Sequence, residues 1–403
     1  MAARQRVASL DIIRGAVMVL MAIDHVRVYS GVPAGGPTLG IFFTRWITHF
    51  CAPAFVFFAG TAAFLRGRQG GSPSVTPGDT VSLARYLVTR GLMLVLLELT
   101  VIRASWTFNV DYSQFILAGV IWMLGWCMVL LAGLIWLPTW AIGAFGLLVI
   151  LFQNVFGLAG SALPESLHQF WEFIYPVGAE VRVGHGGPAV TVLYAIVPWI
   201  GVMAAGYAFG TIVIREPAAR DRLCLRIGLS ATALFLVLGG LAVFLHPASA
   251  EAPPALIRLL NQRKYPASQL FLLMTLGPTI ALLPLAERAH PSTGLGAGAS
   301  PGRRAPGRVA AMLATFGRVP MFYYLLHIPL IHATALAVWL IRDGSAHADW
   351  FATAPYVSIP PAQRWGLPLL YLVFFIDVAV MYPLCRWYAR LKATHPQGWM
   401  PYI

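Results

Sequence analysis

Long apolar runs make up most of this sequence, and only short polar breaks separate them. Of the 403 residues, 58% are hydrophobic and 11% are charged, and the mean hydropathy is +0.72. A soluble domain needs far more polar surface than this composition supplies. The sequence therefore predicts an all-α, polytopic membrane protein.

The number of spans follows from bilayer thickness, because about 20 apolar residues in a helix cross the hydrocarbon core. On this basis we predict about ten transmembrane helices in one bundle, and a single transmembrane domain over residues 1–403. The predicted spans cover approximately residues 9–30, 41–65, 84–103, 115–136, 139–158, 190–214, 227–245, 268–286, 310–341 and 365–388.

The breaks between the spans differ in charge. Lys and Arg concentrate near the N-terminus and in the breaks that fall on the same side, namely 66–68, 215–226, 288–308 and 386–392. Basic loops stay in the cytoplasm, so both termini are predicted to be cytoplasmic, with a flexible cytoplasmic linker over about 287–309. The net charge of +13 then indicates contact with an anionic lipid surface rather than with nucleic acid.

The first span carries charged and titratable side chains that are costly inside a bilayer. Arg14 and His25 are eleven residues apart, so a helix places them within about 20° of one face and separates them by roughly 16 Å along its axis. Asp11 lies about one turn before Arg14 and can pair with it. This face offers a cation near one membrane surface and an imidazole about halfway across, which suits an anionic cofactor.

His25 is the stronger chemical candidate of the two adjacent residues Asp24 and His25. A neutral imidazole can abstract a proton from a hydroxyl or an amine, or carry an acyl group itself. Asp24 points about 100° away on a helix and is a candidate for orienting a partner. A polar contact between two helices is the alternative interpretation of His25.

The second span repeats the pattern with Arg45 and His49, which are four residues apart and share a helix face. Pro53 predicts a weakened helix about one turn after His49. Arg45 and His49 are therefore candidates for a site. An interfacial histidine bonded to a neighbouring carbonyl is the alternative for His49.

The ninth span contains His327 and His332, with Pro329 between them. Five residues correspond to about 140° on a helix, so the two histidines do not form a metal-binding pair unless Pro329 distorts the helix. His327, which is closer to Tyr323 and Tyr324, is the candidate to face a cavity. For His332 we expect a structural polar contact.

Aromatic and small residues give weaker signals. Trp122 and Trp126 are one turn apart, and they either line a cavity for a sugar or an acyl chain or pack together. Gly206 and Gly210 form a small-residue contact that serves packing or a homodimer. The four cysteines form no pattern with histidine, so we expect neither a bound metal nor a structural disulfide.

Two further carboxylates lie inside apolar runs, Glu98 in the third span and Asp377 in the tenth. Buried carboxylates are usually paired. An ion pair with Arg14, Arg90 or Arg318 is the expected role of each.

Three stretches form a combination that is fairly specific, although each is short: SLDIIRGAVMVLMAIDHVRVY, RWITHFCAPAFVFFAGTAAFL and FGRVPMFYYLLHIPLIHA. They resemble the bacterial relatives of heparan-alpha-glucosaminide N-acetyltransferase, a family of multipass membrane proteins. The spacing of Arg14 and His25 also matches the arginine–ten residues–histidine motif of acyltransferase-3 membrane proteins, which are grouped with the heparan enzyme. The resemblance covers the first two spans well, the ninth moderately and the rest only by hydropathy.

The resemblance implies a bacterial inner-membrane enzyme that takes an acyl group, usually acetyl, from acyl-CoA on the cytoplasmic side. The acceptor is a carbohydrate or glycolipid at or across the membrane. In this chain the catalytic candidates are His25, His49 and Asp24, the cofactor-binding candidates are Arg14, Asp11 and Arg318, and the substrate-binding candidates are Arg45, His327, Trp122 and Trp126.

One departure from the family concerns the catalytic histidine. The heparan enzyme carries it in the loop between the first two spans, whereas that loop here, GVPAGGPTLG, has no histidine. His25 or His49 is expected to take over its role.

A transporter or permease is the competing interpretation, in which the buried charges line a substrate or proton path. An acyltransferase needs a CoA-sized basic opening on the cytoplasmic side, whereas a transporter needs access that alternates around a midplane site. A non-catalytic partner in envelope assembly is a third possibility.

Overall fold

The chain folds mainly into helices, as a computed structural model shows for residues 7–68, 77–113, 115–184, 187–246, 249, 252–289, 307–352 and 359–395. The predicted all-α class is confirmed for these residues, apart from one small sheet. The helices are α1 (Ala8–Ser30), α2 (Leu39–Trp46), α3 (Cys51–Gly67), α4 (Pro77–Leu97), α5 (Arg103–Thr107), α6 (Val120–Leu134), α7 (Thr139–Phe152), α8 (Asn154–Ser161), α9 (Glu165–Ile174), α10 (Trp199–Val213), α11 (Pro217–Leu245), α12 (Ala255–Leu260), α13 (Gln269–Ala281), α14 (Leu283–Ala289), α15 (Arg308–Arg318), α16 (Pro320–Asp343) and α17 (Leu367–Thr394). The strands are β1 (Phe115–Ala118), β2 (Val181–Arg182) and β3 (Ala189–Val192).

Five helical segments in the described part of the chain are long and apolar enough to cross a membrane. They are Leu39–Gly67, Pro217–Leu245, Gln269–Ala289, Pro320–Asp343 and Leu367–Thr394. The pair α7 and α8, bent by 62°, is a sixth if it counts as one span. These segments support a membrane protein, but the predicted count of ten spans is not confirmed.

Several predicted spans differ in extent from the helices that form. The spans predicted at 115–136 and 190–214 begin with strands β1 and β3, and their helices α6 and α10 have only 15 residues each. Short apolar strands and helix starts have the same composition, which explains the error. The predicted linker at 287–309 is helical up to Ala289, and residues 290–306 lie outside the described residues.

The span predicted at 310–341 is wrong as a single helix, because it is two helices, α15 and α16. Val319 separates them with φ −130° and ψ 50°, and Pro320 begins α16. Proline has no N–H to continue the helical hydrogen bonds, but it is well suited to the first turn of a new helix.

The chain divides into two compact units, of which the first comprises Met1–Cys51, Thr100–Phe115 and Leu283–Ile403. Helix α1 lies at its centre and packs against α14, α15, α16 and α17. The α1–α15 contact is very close, since a Cβ on Gly15 or on Gly317 would lie 1.8 Å from the carbonyl oxygen of Leu313 or Asp11, respectively. These two contacts run in opposite directions along the chain, so α15 is antiparallel to α1.

Helix α16 also lies along α1, but in the parallel direction. His25 contacts His327, and one turn further on Tyr29 contacts His332. Together α15 and α16 therefore form a hairpin along α1 that turns at Val319. The hairpin therefore places the two helices of the ninth predicted span against the first span.

The second unit comprises Ala52–Leu99 and Ile116–Leu282. In it α4 packs on α6, α7 on α10 and α11 on α13, and the strands form a sheet in the order β1-β3-β2. Gly206 lies against the carbonyl of Phe57 and Gly210 against the ring of Phe64. The two glycines therefore serve packing within this unit, and a homodimer stays a prediction.

Candidate active site

Arg14 and His25 lie on one uninterrupted helix, as predicted. Helix α1 runs from Ala8 to Ser30 and ends at Gly31, whose left-handed φ of 73° caps it. Because no break interrupts the helix between Arg14 and His25, the predicted axial separation of roughly 16 Å applies to the two residues. Both residues are half-buried, so they are neither sealed in the core nor fully exposed.

His25 contacts His327 across the α1–α16 interface. The Nδ1 atom of His25 lies 2.7 Å from Nε2 of His327, and Nδ1 of His327 lies 2.8 Å from the carbonyl oxygen of Tyr324 and 3.1 Å from that of Tyr323. His327 is 1% exposed, so it supports His25 from the buried side. The sequence predicted each histidine as a site residue, and the structure brings them together.

Aromatic rings surround this histidine pair. The rings of Trp106 and His25 meet edge to face with a centroid separation of 4.9 Å, and Tyr323 and Tyr324 pack on His327 at 5.2 and 5.3 Å. Apolar neighbours exclude water from one side of the pair and strengthen its hydrogen bonds. The two histidines are therefore held in a defined arrangement, and their catalytic role stays a prediction.

Trp106 is a site residue that sequence reasoning missed. It lies on α5, and its carbonyl accepts a hydrogen bond from the Tyr29 hydroxyl at 2.8 Å. Buried Arg103, on the same short helix, donates to the carbonyl oxygens of Asn109, Asp111 and Phe115 and so fixes the segment that follows. The sequence feature that could have indicated this segment is Arg103, which lies at the end of an apolar run and just before a polar loop.

His332 has the structural role that was expected of it. Its Nδ1 lies 3.1 Å from the carbonyl oxygen of Ser105, and its ring lies between Phe108 and Tyr29 at centroid distances of 3.9 and 4.7 Å. Phe108 holds a left-handed φ of 45° at the end of α5, which places its ring on the imidazole.

Asp24 joins two arginines beside the histidine pair. One carboxylate oxygen lies 2.8 Å from Nε of Arg27 and the other 3.0 Å from Nη1 of Arg45. Arg27 also donates to the carbonyl of Val32. With each oxygen bound to a guanidinium, Asp24 fits the orienting role better than the role of a proton acceptor.

Arg45 and His49 do not share an α-helical face as predicted, because residues Ile47–Phe50 form a 3-10 helix. This tighter turn rotates successive residues by about 120° and changes the relation of the two side chains. It lies just before Pro53, which cannot donate the hydrogen bond that the carbonyl of His49 would accept in a regular helix. His49 is buried, and Cys51 donates to the carbonyl of Val17 on α1.

The predicted cofactor-binding residues Arg14, Asp11 and Arg318 are drawn together by the α1–α15 contact. Gly317 lies against the backbone of Asp11, so the next residue in the chain, Arg318, also begins near Asp11. Arg318 is exposed and ends α15. The α1–α15 contact therefore brings the backbone next to Arg318 close to the turn of α1 that carries Asp11 and Arg14, and a role of these arginines toward phosphate groups stays a prediction.

The ion pairs predicted for Glu98 and Asp377 are wrong. Glu98 accepts hydrogen bonds from the backbone N–H groups of Ile121 at 2.9 Å and Trp122 at 3.3 Å, and so caps the start of α6. A carboxylate is stabilised there by the helix dipole. Asp377 accepts a hydrogen bond from the Thr334 hydroxyl at 2.8 Å.

Trp122 and Trp126 belong to the second unit, where their rings contact edge to face at 6.4 Å. Trp122 is buried and also packs on Phe173 at 5.5 Å. These contacts match the packing alternative, and a role toward a sugar or an acyl chain stays a prediction.

Residues 6–247 match the family described as heparan-alpha-glucosaminide N-acetyltransferase, catalytic. The matched segment includes His25 and Arg45 and ends before His327 and Arg318. No curated protein matches the chain.

Proposed function

The chain belongs to the heparan-alpha-glucosaminide N-acetyltransferase catalytic family, and on this premise we propose that it transfers an acetyl group from acetyl-CoA to a carbohydrate or glycolipid. The chain acts as one transmembrane domain of a bacterial inner membrane, with both termini in the cytoplasm. The contact between His25 and His327, 2.7 Å long, carries this proposal. Titratable groups in such apolar helices are costly and mark functional sites.

In the proposed reaction His25 takes the proton from the acceptor hydroxyl or amine as that atom attacks the thioester carbonyl. The carbon–sulfur bond breaks, and the CoA thiolate leaves with the proton that His25 returns. The products are the acetylated acceptor and CoA. A route in which the acetyl group first bonds to a nitrogen of His25 gives the same products in two transfers. His49 is the second catalytic candidate.

The donor is proposed to lie along α1. Arg14 on α1, and Arg318 next to the contact of Gly317 with Asp11, are proposed to bind the CoA phosphates. Arg14 is roughly 16 Å from His25 along the helix axis, a distance that the extended pantetheine arm can span. Arg45, held by Asp24, is proposed to face the acceptor.

A permease is the second candidate, and one observation in the second unit favours it. Helices α7 and α8 meet at Gln153 with a bend of 62°. The Gln153 side chain is buried, and its Oε1 has no hydrogen-bond partner among the described residues. Discontinuous helices that leave polar groups available to a substrate form many transport sites.

The experiment that tests the proposed function measures CoA release and acetyl transfer. The full chain, purified in lipid nanodiscs, is incubated with radiolabelled acetyl-CoA and with glucosamine-terminated oligosaccharides or a membrane glycolipid extract. We expect thioester cleavage that His25→Ala abolishes and that a variant of an exposed histidine, His246→Ala, retains. Undiminished activity in His25→Ala would exclude His25 as the catalytic group, and no thioester cleavage by the wild type would favour the permease.

A further inference from the structure

The direction of the hydrogen bonds in the histidine pair is set by two backbone carbonyls. Nδ1 of His327 lies within hydrogen-bond distance of the carbonyl oxygens of Tyr323 and Tyr324. A carbonyl oxygen only accepts, so Nδ1 of His327 carries a proton. In the neutral ring the lone pair is then on Nε2 of His327.

That lone pair in turn assigns the tautomer of His25. Nε2 of His327 lies 2.7 Å from Nδ1 of His25, so Nδ1 of His25 must donate. A nitrogen separation of 2.7 Å is shorter than the spacing of rings stacked face to face, and the ring planes are inclined by only 25°. The ring centroids are 4.8 Å apart, which is close to the separation of two imidazoles joined edge to edge, so the N–H bond points toward the lone pair as a hydrogen bond requires.

We propose that His327 is a positioning residue that holds His25 in the Nδ1–H tautomer, so that Nε2 of His25 is the atom that accepts the proton or the acetyl group. This inference rests on the proposed function of His25. It gives His327 a role behind the reacting histidine instead of the contact with substrate that the sequence predicted. His327 lies outside the segment that matches the family, so the role comes from this chain's own geometry.

The arrangement also provides a place for the positive charge that forms during the reaction. When Nε2 of His25 gains a proton, the proton between the two rings can shift to Nε2 of His327 without any ring rotation. The N–H at Nδ1 of His327 then faces the carbonyls of Tyr323 and Tyr324, whose oxygens stabilise an imidazolium. Spreading one charge over two rings is favourable where apolar neighbours lower the dielectric constant.

Two substitutions at His327 separate positioning from packing. In His327→Gln an amide oxygen can reach the place of Nε2 and still accept from His25, whereas His327→Leu fills similar space without an acceptor. We expect His327→Leu to lower kcat about a hundredfold, the usual size of a general acid–base contribution. The KM for acetyl-CoA should change less than about threefold, since ground-state binding is not involved. His327→Gln should recover kcat to within about tenfold of the wild type.

His332→Leu is the matched control, because it removes another buried histidine from the same helix. We expect it to lower the melting temperature as His327→Leu does, while kcat stays within about threefold of the wild type. Equal loss of kcat in both variants, or no recovery in His327→Gln, would show that His327 acts only through packing.

A spectroscopic measurement tests the tautomer without any turnover. The full chain in lipid bilayers, labelled with ¹⁵N-histidine, is examined by solid-state NMR, and the His25 signals are identified by their loss in His25→Gln. We expect a protonated Nδ1 and an unprotonated Nε2 on His25 in the wild type, and a mixture of tautomers in His327→Leu. A protonated Nε2 in the wild type would overturn the inference even if acetyl transfer is observed. Conversely, the expected tautomer without any acetyl transfer would contradict the proposed function alone.

Discussion

Arg45 Nη1 lies 3.0 Å from the Oδ2 atom of Asp24, and this ion pair ties α2 to α1 one residue away from His25. The two side chains are 14% and 18% exposed. Partial burial makes such a pair stronger than a surface ion pair, but solvent still screens it. Arg45 is therefore held in a defined position beside the histidine pair, at the end of the site where the acceptor is proposed to bind.

A double-mutant cycle should detect this ion pair. We expect Asp24→Asn and Arg45→Gln, singly and together, to give a coupling free energy of about 1 kcal/mol in the free energy of unfolding, after allowance for solvent screening. The measurement is denaturation of the chain in detergent micelles. The exposed pair Glu180 and Arg182 provides the control, because its side chains are 65% and 46% exposed and its coupling should be close to zero. Equal coupling in the two cycles would contradict a positioning role for Asp24.

Arg14 should contribute to binding of the donor through phosphate groups only. We expect Arg14→Ala to raise the Kd for acetyl-CoA about tenfold, which corresponds to the loss of one charge-assisted contact. Acetyl-pantetheine lacks the nucleotide and its phosphates, so the KM for this truncated donor should be the same in Arg14→Ala and the wild type. Isothermal titration calorimetry measures the Kd for acetyl-CoA. An assay of the free thiol released from acetyl-pantetheine measures the KM for that donor. An equal effect on both donors would place Arg14 away from the phosphates.

The class of the protein and the course of its first helix could be predicted because both depend on local pattern. Apolar length alone separates a membrane protein from a soluble one. The eleven-residue offset of Arg14 and His25 is fixed by helix geometry once α1 is continuous, and the structure shows that it is. These predictions needed no knowledge of which helices are neighbours.

The contacts that make the site could not be predicted in the same way. His25 and His327 are 302 residues apart in sequence, and their meeting depends on the turn at Val319 that sends α16 back along α1. The apolar pattern over 310–341 continues through that turn, so hydropathy alone gives one helix. Glu98 was misinterpreted for a related reason, since the sequence does not show which N–H groups will lie next to a carboxylate.

Glu98 should stabilise the second unit as a helix cap. We expect Glu98→Ala to cost about 1–3 kcal/mol in the free energy of unfolding, because it leaves the buried N–H groups of Ile121 and Trp122 without an acceptor. Glu98→Gln keeps an acceptor oxygen and should cost only about 0.5–1 kcal/mol, through the lost attraction to the helix dipole. Thermal denaturation of both variants in the same micelles measures the difference. If Gln destabilises as much as Ala, the charge of Glu98 matters and an ion pair must be reconsidered.

Gly317 should couple the packing of α15 to binding of the donor. A Cβ at this position would lie 1.8 Å from the carbonyl oxygen of Asp11, so Gly317→Ala forces α15 away from α1 and should cost about 1–3 kcal/mol, the usual range for overpacking. Arg318 moves with the helix, and the KM for acetyl-CoA should therefore rise together with the loss of stability. Gly307→Ala, at the N-cap of the same helix, meets no atom within 4 Å, so it should cost no more than about 1 kcal/mol and should leave the KM for acetyl-CoA unchanged. Loss of stability without a change in KM would show that Arg318 does not contact the donor, because the helix that carries it would have moved with no effect on binding.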